Sequence, residues 1–201
     1  MPSLYQLKPA FRQLLRPISA GLHRHGVTAN QITIAAATLS IIYGASLALY
    51  SHVKPLWLAL PLFLILRMAL NALDGMIASD FVQQSACGAF LNELGDIVSD
   101  AALILGFSGL AVTVSLPAAL FALTGTVTEA AGLCAQAVCG IRRYDGPMGK
   151  SDRACVLGVL GLLIGLDWIS IRAVEIVFIV GSAAACLTAV QRARMAIRIA
   201  A

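Results

Sequence analysis

Charge is scarce in this chain. Asp, Glu, Lys and Arg make up 12% of its 201 residues, hydrophobic residues make up 59%, and the mean hydropathy is +0.87. A soluble domain carries roughly a quarter charged residues, so a soluble globular fold is excluded. Paired cysteine spacing is also missing. Cys87, Cys134, Cys139, Cys155 and Cys186 form no CxxC, which removes a zinc site or a disulfide frame and leaves small buried hydrophobes. There is no internal repeat and no low-complexity stretch. The first 27 residues contain no long apolar run, because Lys8, Arg12, Arg16 and Arg24 interrupt them; no cleavable signal peptide is expected. The net charge of +4 comes without a basic–aromatic repeat. A nucleic-acid partner is therefore not expected, and the positive-inside rule accounts for the charge.

Apolar runs fill most of what is present. Over residues 3–20, Leu4, Leu7, Phe11, Leu14, Leu15 and Ile18 form one helical stripe, while Lys8, Arg12 and Arg16 recur every four residues on another. This pattern predicts an amphipathic helix on an anionic membrane surface, with Pro17 near its end. Six apolar segments follow, at about 28–50, 55–78, 88–110, 116–139, 153–166 and 173–191. The fifth is short, and its Gly158, Gly161 and Gly165 suit close helix packing. The expected fold is an all-α membrane protein: a juxtamembrane segment over 1–27, then one domain of six transmembrane helices over 28–201. Of the fourteen Lys and Arg, eleven fall on one side of such an arrangement, only Lys54 and Arg172 on the other, and Arg67 within a span. Both termini are then expected in the cytoplasm.

Polar residues inside apolar spans are functional candidates by default. The second span ends in RMALNALDG, which puts Arg67, Asn71 and Asp74 on one helical face. The third begins GAFLNELGDIVSD, which puts Gly88, Asn92, Asp96 and Asp100 four apart on another. Antiparallel neighbours joined by a short connection can bring these faces together at the cytoplasmic boundary. Carboxylate and amide oxygens without His or Cys are ligands for a hard cation such as Mg²⁺, Mn²⁺ or Ca²⁺. Gly75 and Gly88 leave room beside them for a bulky ligand, and metal with phosphate is the usual use of such a set. Two other readings stay open: a helix pair held by buried polar contacts, with Arg67 neutralising one Asp, and a cation or proton pathway, which Glu129 in the fourth span would suit.

The stretch NALDGMIASDFVQQSACGAFLNELGD resembles the motif of the CDP-alcohol phosphatidyltransferase family, Asp-x2-Asp-Gly-x2-Ala-Arg-x8-Gly-x3-Asp-x3-Asp. Asp74, Gly75, Ala78, Gly88 and Asp96 fall in register. TANQIT at the first span and GPMGKSDRA at the fifth extend the resemblance over most of the chain. Three positions depart: Asn71 and Asn92 stand for the first and third aspartates, and Ser79 for the arginine. The two asparagines look like the wording of a bacterial side branch. Nothing beside Ser79 in the sequence replaces the lost positive charge, and Asp80 makes that spot more acidic.

The resemblance implies six-span membrane enzymes, usually homodimers, in phospholipid biosynthesis at the bacterial inner membrane. They move a phosphatidyl group from a CDP-linked lipid such as CDP-diacylglycerol to an acceptor hydroxyl and release CMP. Carried onto this chain, Asn71, Asp74, Asn92 and Asp96 would hold Mg²⁺ or Mn²⁺, and Asp96 would activate the acceptor. Asp74, Gly75, Ala78, Ser79 and Gly88 would bind the CDP moiety. Asp100 would restore the charge lost at Asn92 or pair with Arg67. The departures leave a second outcome, a weakened or inactive member that binds nucleotide-lipid or a partner. Arg142, Arg143, Lys150, Ser151 and Arg153 crowd the RRYDGPMGKSDRA segment at the opening of the fifth helix. Free backbone N–H groups and the helix dipole favour an anion there, so the small polar acceptor is expected to carry a phosphate or another anion.

Overall fold

The computed structural model describes residues 7–200. Among these, seven α-helices and one 3-10 turn account for the regular structure: α1 (Leu7–Arg24), α2 (Ala29–Leu49), α3 (Lys54–Asp80), α4 (Ala86–Gly106), the turn Phe107–Gly109, α5 (Val112–Cys139), α6 (Lys150–Gly165) and α7 (Ile171–Ala200). The all-α expectation holds. Four helices, α2, α3, α5 and α7, are long and apolar enough to cross a membrane. The other two expected spans differ in kind: α4 carries Glu93, Asp96 and Asp100, and α6 has only 16 residues. Residues 3–6 of the expected amphipathic helix lie outside the described residues. Its other end runs four residues beyond the expected limit of 20, so Pro17 falls inside α1. Pro17 lacks the N–H that would bond the carbonyl of Gln13, and Gln13 is exposed.

The chain divides into two compact units, Met1–Leu39 with Phe63–Asp96, and Ser40–Leu62 with Ile97–Ala201. In the first, Leu15 of α1 joins a core made of Ala29, Ile32, Leu73, Met76 and Ile77. Leu14 and Ile18 of the same predicted stripe remain outside it, 69% and 49% exposed, as expected of a helix that also has an apolar surface to offer a bilayer. The start of α2 is fixed by a capping box: the Thr28 N–H donates to Gln31 Oε1 (2.9 Å), and the Gln31 N–H donates to Thr28 Oγ1 (3.3 Å). Gln83, in the connection between α3 and α4, accepts from the Ala29 N–H (3.0 Å) and so ties that connection to the same helix start. His23 stacks on Phe81 (ring centroids 3.8 Å apart) beside it.

In the second unit α5 packs along α7, with Phe121 stacked on Phe178 at 5.4 Å. Phe107 meets both Phe178 and Trp57 edge-on, at 5.2 and 4.8 Å. Contact between α2 and α4 relies on Gly44 and Gly106: a Cβ on Gly106 would stand 2.7 Å from the Gly44 carbonyl oxygen and 3.1 Å from Leu47 Cβ. The glycines of α6 play the packing part expected of them, since a Cβ on Gly161 would lie 2.9 Å from the Trp57 carbonyl oxygen. The cysteines depart from expectation. All five are free, yet four are exposed and Cys139 is half-buried. These four positions therefore lie on outward-facing helix surfaces and not in a protein core.

Gly106→Leu should therefore destabilise the protein by about 1–3 kcal/mol through overpacking, read as a lower unfolding temperature in detergent. An unchanged temperature would mean that α2 and α4 do not meet through this position.

Candidate active site

The motif residues converge within the first unit. A cavity of about 620 Å³ is lined by Asn71, Asp74, Gly75 and Ala78 from α3, and by Gly88 and Asn92 from α4. Its wall also includes Asn30 and Thr33 of α2 and Gln83, Gln84 and Ser85 of the α3–α4 connection. Ser85 caps α4 by accepting from the Gly88 N–H (3.0 Å). Gly88 packs closely on Asn30: a Cβ there would stand 2.6 Å from Asn30 Oδ1 and push that side chain aside.

Each acid of the motif has a neutral partner. Asp74 is buried, and its Oδ2 accepts from the Thr33 hydroxyl at 2.7 Å. Asp96 Oδ1 accepts from Asn71 Nδ2 at 2.9 Å, so the motif's first and last positions are joined directly. Arg67 lies beside the same carboxylate, 3.7 Å from Oδ1, and also donates to the Asp96 backbone oxygen at 3.3 Å. Arg67 thus pairs with an aspartate of the neighbouring helix, Asp96, while Asp100 is held by Arg153. The oxygen donors offered by Asn71, Asp74, Asn92 and Asp96 suit a hard divalent cation. Among the described residues no group of three His, Cys, Asp or Glu could hold an ion alone. The set therefore fits a cation that shares its coordination with a ligand's own oxygens.

Ser79 does not line the cavity. Its hydroxyl donates to the Met76 backbone oxygen (3.2 Å) and to Asp80 Oδ1 (3.0 Å). A positive charge from outside the motif stands near Asp80. Arg12 of α1 comes within 3.9 Å of that carboxylate, although both side chains are well exposed and screened by solvent. The contact is invisible in sequence because 68 residues separate the partners.

The residues expected to hold the acceptor belong to the second unit, and most of them are engaged. Arg153 is 1% exposed. Its Nε and Nη2 donate to Asp100 Oδ2 (3.2 and 2.8 Å), Nη2 also donates to Glu129 Oε1 (3.0 Å), and Nη1 to the Met148 backbone oxygen (3.3 Å). Asp100, expected to restore charge near Asn92 or to meet Arg67, is held by Arg153. Arg142 donates to Glu129 Oε2 at 3.4 Å and lies over the Tyr144 ring. Arg143 grips Asp145 with two bonds, 2.7 and 2.8 Å. Lys150 and Ser151 start α6, where the Gly149 N–H already donates to Asp152 Oδ2 (2.9 Å). Arg153 is here an internal tie between α4, α5 and α6.

Sequence reasoning missed Arg192, which it counted only as a cytoplasmic charge beyond the last span. In the structure α7 continues to Ala200. Arg192 is 2% exposed, donates to the backbone oxygens of Thr128 (2.7 Å) and Asp145 (3.2 Å), and lies 3.7 Å from Glu129 Oε2. A signal was there to read: Val174, Phe178, Gly181, Ala185, Thr188 and Arg192 keep one helical stripe, and all are buried. Glu129 was the residue that would suit a cation pathway. Three guanidinium groups around it repel a cation, and that reading loses its support.

Comparison with known proteins agrees with the geometry. The profile of the CDP-alcohol phosphatidyltransferase family matches residues 26–191. The inner membrane protein YnbA of Escherichia coli (strain K12) is 48% identical over 164 residues, covering 82% of this chain and 81% of that protein. A crystal structure of Mycobacterium tuberculosis phosphatidylinositol phosphate synthase with CDP-DAG bound superposes with a TM-score of 0.76 at 20% identity, over 92% of this chain and 94% of that one. A second structure of that enzyme, in complex with manganese and citrate, gives 0.73 at 22% identity, over 90% and 88%.

Replacing Arg153 with Ala should leave two buried carboxylates without their main partner and cost roughly 3–5 kcal/mol. Denaturant or thermal unfolding in detergent measures this. Arg153→Lys should recover only part of the loss, because an ammonium lacks the planar fork. Wild-type stability in the Ala variant would mean that Asp100 and Glu129 do not depend on this guanidinium.

Proposed function

The chain belongs to the CDP-alcohol phosphatidyltransferase family, and from that premise we propose that it transfers a phosphatidyl group from a CDP-linked lipid to an acceptor hydroxyl. The observation that carries the reading is the convergence of Asn71, Asp74, Gly75, Ala78, Gly88 and Asn92 on one cavity, with Asp96 tied to Asn71. CDP-diacylglycerol is the proposed donor, as in the mycobacterial synthase structure that holds CDP-DAG. In the proposed setting all six long segments lie within the bacterial inner membrane as a multi-pass domain, with both termini cytoplasmic and the site at the cytoplasmic leaflet. A homodimer is the proposed assembly.

The reaction is displacement at phosphorus: the acceptor oxygen bonds to the β-phosphorus, the bond to the CMP oxygen breaks, and the acceptor's proton goes to a base. Asp96 is the proposed base and ligand. Thr33 and Asn71 hold Asp74 and Asp96 in place, which is the positioning such a step needs. Gly75 leaves the backbone open to the CDP moiety, with Ala78 and Gly88 on the same cavity wall, and Ser79 would reach it only by leaving Asp80. Asn71, Asp74, Asn92 and Asp96 would hold Mg²⁺ or Mn²⁺, which when bound neutralises the diphosphate and steadies the departing CMP. The small polar acceptor is assigned to the segment with Arg142, Arg143, Lys150, Ser151 and Arg153, of which Lys150 and Ser151 stand at the start of α6.

A second reading, a member that binds CDP-lipid without turning it over, is favoured by the amides at two motif positions and by Ser79 lying off the cavity. One assay separates the two: CMP release from CDP-diacylglycerol by purified protein with Mg²⁺ or Mn²⁺ across a panel of acceptors. Asp74→Ala and Asp96→Asn should each abolish release while the protein stays folded. Full activity in the Asp96 variant removes the proposed mechanism. A wild type that never releases CMP, yet binds CDP-lipid, selects the second reading.

Metal stoichiometry gives a further check. With two motif carboxylates, the protein alone should bind at most one divalent ion firmly. The double change Asn71→Asp and Asn92→Asp should tighten metal binding without substrate. Calorimetry showing two tight sites in the wild type would contradict this.

A further inference from the structure

Arginines gathered on one spot usually await an anion. Here the anion is part of the chain. Glu129, 7% exposed in the middle of α5, receives Arg153 at 3.0 Å and Arg142 at 3.4 Å, with Arg192 at 3.7 Å. The face of α5 is shaped for this. A Cβ on Gly125 would stand 3.2 Å from Arg153 Cδ and Nε, and one on Gly132 would stand 3.2 Å from Arg192 Nη1. Two bare positions, one turn either side of Glu129, let the guanidinium groups close on its carboxylate.

Three other anion-attracting groups of the segment are matched in the same way. Arg143 holds Asp145, Arg153 also holds Asp100, and the N-terminal N–H of Gly149 takes the Asp152 carboxylate. A phosphomonoester brings a charge of roughly −1.5 to −2 at pH 7. To enter this cluster it would have to displace Glu129 and leave that carboxylate in the helix interior without its partners, which is strongly unfavourable.

We infer that Glu129 is a specificity-determining residue: it fills the arginine cluster from within and restricts the acceptor to a net-uncharged alcohol that carries no phosphate. The inference rests on the transferase reading for its meaning, and it replaces the anionic acceptor that the basic segment alone suggested. The arginines then serve to lock α4 to α7 around the acceptor end, while recognition falls to hydroxyl and amide contacts.

Two measurements test it separately from the transferase reading. In metal-free buffer, inorganic phosphate and glycerol 3-phosphate are titrated into purified protein by calorimetry, which needs no turnover. The wild type should show no binding at millimolar phosphate, whereas Glu129→Gln should bind at least about tenfold more tightly and Glu129→Asp should stay wild-type-like. Thermal unfolding reports whether each variant is folded. If Glu129→Gln does not fold, the wild-type titration still decides: submillimolar phosphate binding overturns the inference, and its absence supports it. In the CMP-release assay, glycerol should outperform glycerol 3-phosphate with the wild type, and the opposite preference overturns the inference. A protein that releases no CMP with any acceptor defeats the transferase reading alone, and leaves the phosphate titration to judge the filled cluster.

Discussion

A charged side chain inside an apolar helix has to be matched where it sits, because no water is there to do it. In the second unit this requirement is met at one knot. Asp100 of α4, Glu129 of α5, Arg153 of α6 and Arg192 of α7 are all buried, and Arg153 and Glu129 link them. Rotating any of these helices by one residue turns its side chain by about 100° and takes a charge out of the knot. Apolar packing between α5 and α7 tolerates small slips; the charges do not. The register of four helices therefore hangs on a few hydrogen bonds that apolar surface alone could not specify.

The first unit combines neutral partners with one arginine, Arg67, 3.7 Å from Asp96. Asp74 takes the Thr33 hydroxyl and Asp96 takes the Asn71 amide. Asp74 lines the cavity and Asp96 stands behind Asn71, two carboxylates where the related motif has four, so less mutual repulsion has to be overcome when the cavity is empty. Asn71 can donate to Asp96 with its nitrogen and still present an oxygen, which a carboxylate in its place could not do. The amide substitutions thus fit a cavity that keeps its shape without a cation and relies on a ligand's oxygens to complete one.

Much of the cavity was legible in the sequence, because its residues recur at helical spacing along α3 and α4 and a short connection forces those helices to be neighbours. Thr33, Asn30 and Gln83 were not legible. Thr33 and Asn30 come from α2, where Thr33 meets Asp74 across 41 residues of chain, and Gln83 lies within the motif stretch but bonds Ala29 54 residues away. The basic segment at 142–153 reads in sequence as a loop that offers an anion site at the opening of a helix. Asp100, Glu129 and Arg192, which close it off, lie 24 residues or more from Arg153 along the chain. Residue spacing cannot show that a cation and an anion will share one buried point.

What the sequence determined by itself is the set of helices and one polar face. Apolar runs of span length, the Thr28–Gln31 cap and the 3.6-residue period are local properties, and the elements start and stop close to where those signals lie. Only the tertiary structure decided what each charge does. Arg153 and Arg142 have the same chemistry as any loop cation, and Glu129 the same as any lone intramembrane acid. Their roles follow from which helices approach closely enough to pair them, and that is set by glycines and aromatic contacts far away in the chain. Electrostatic pairing acts over a few ångströms in space, whereas sequence records distance along the backbone; the two coincide within a helix and part company between helices.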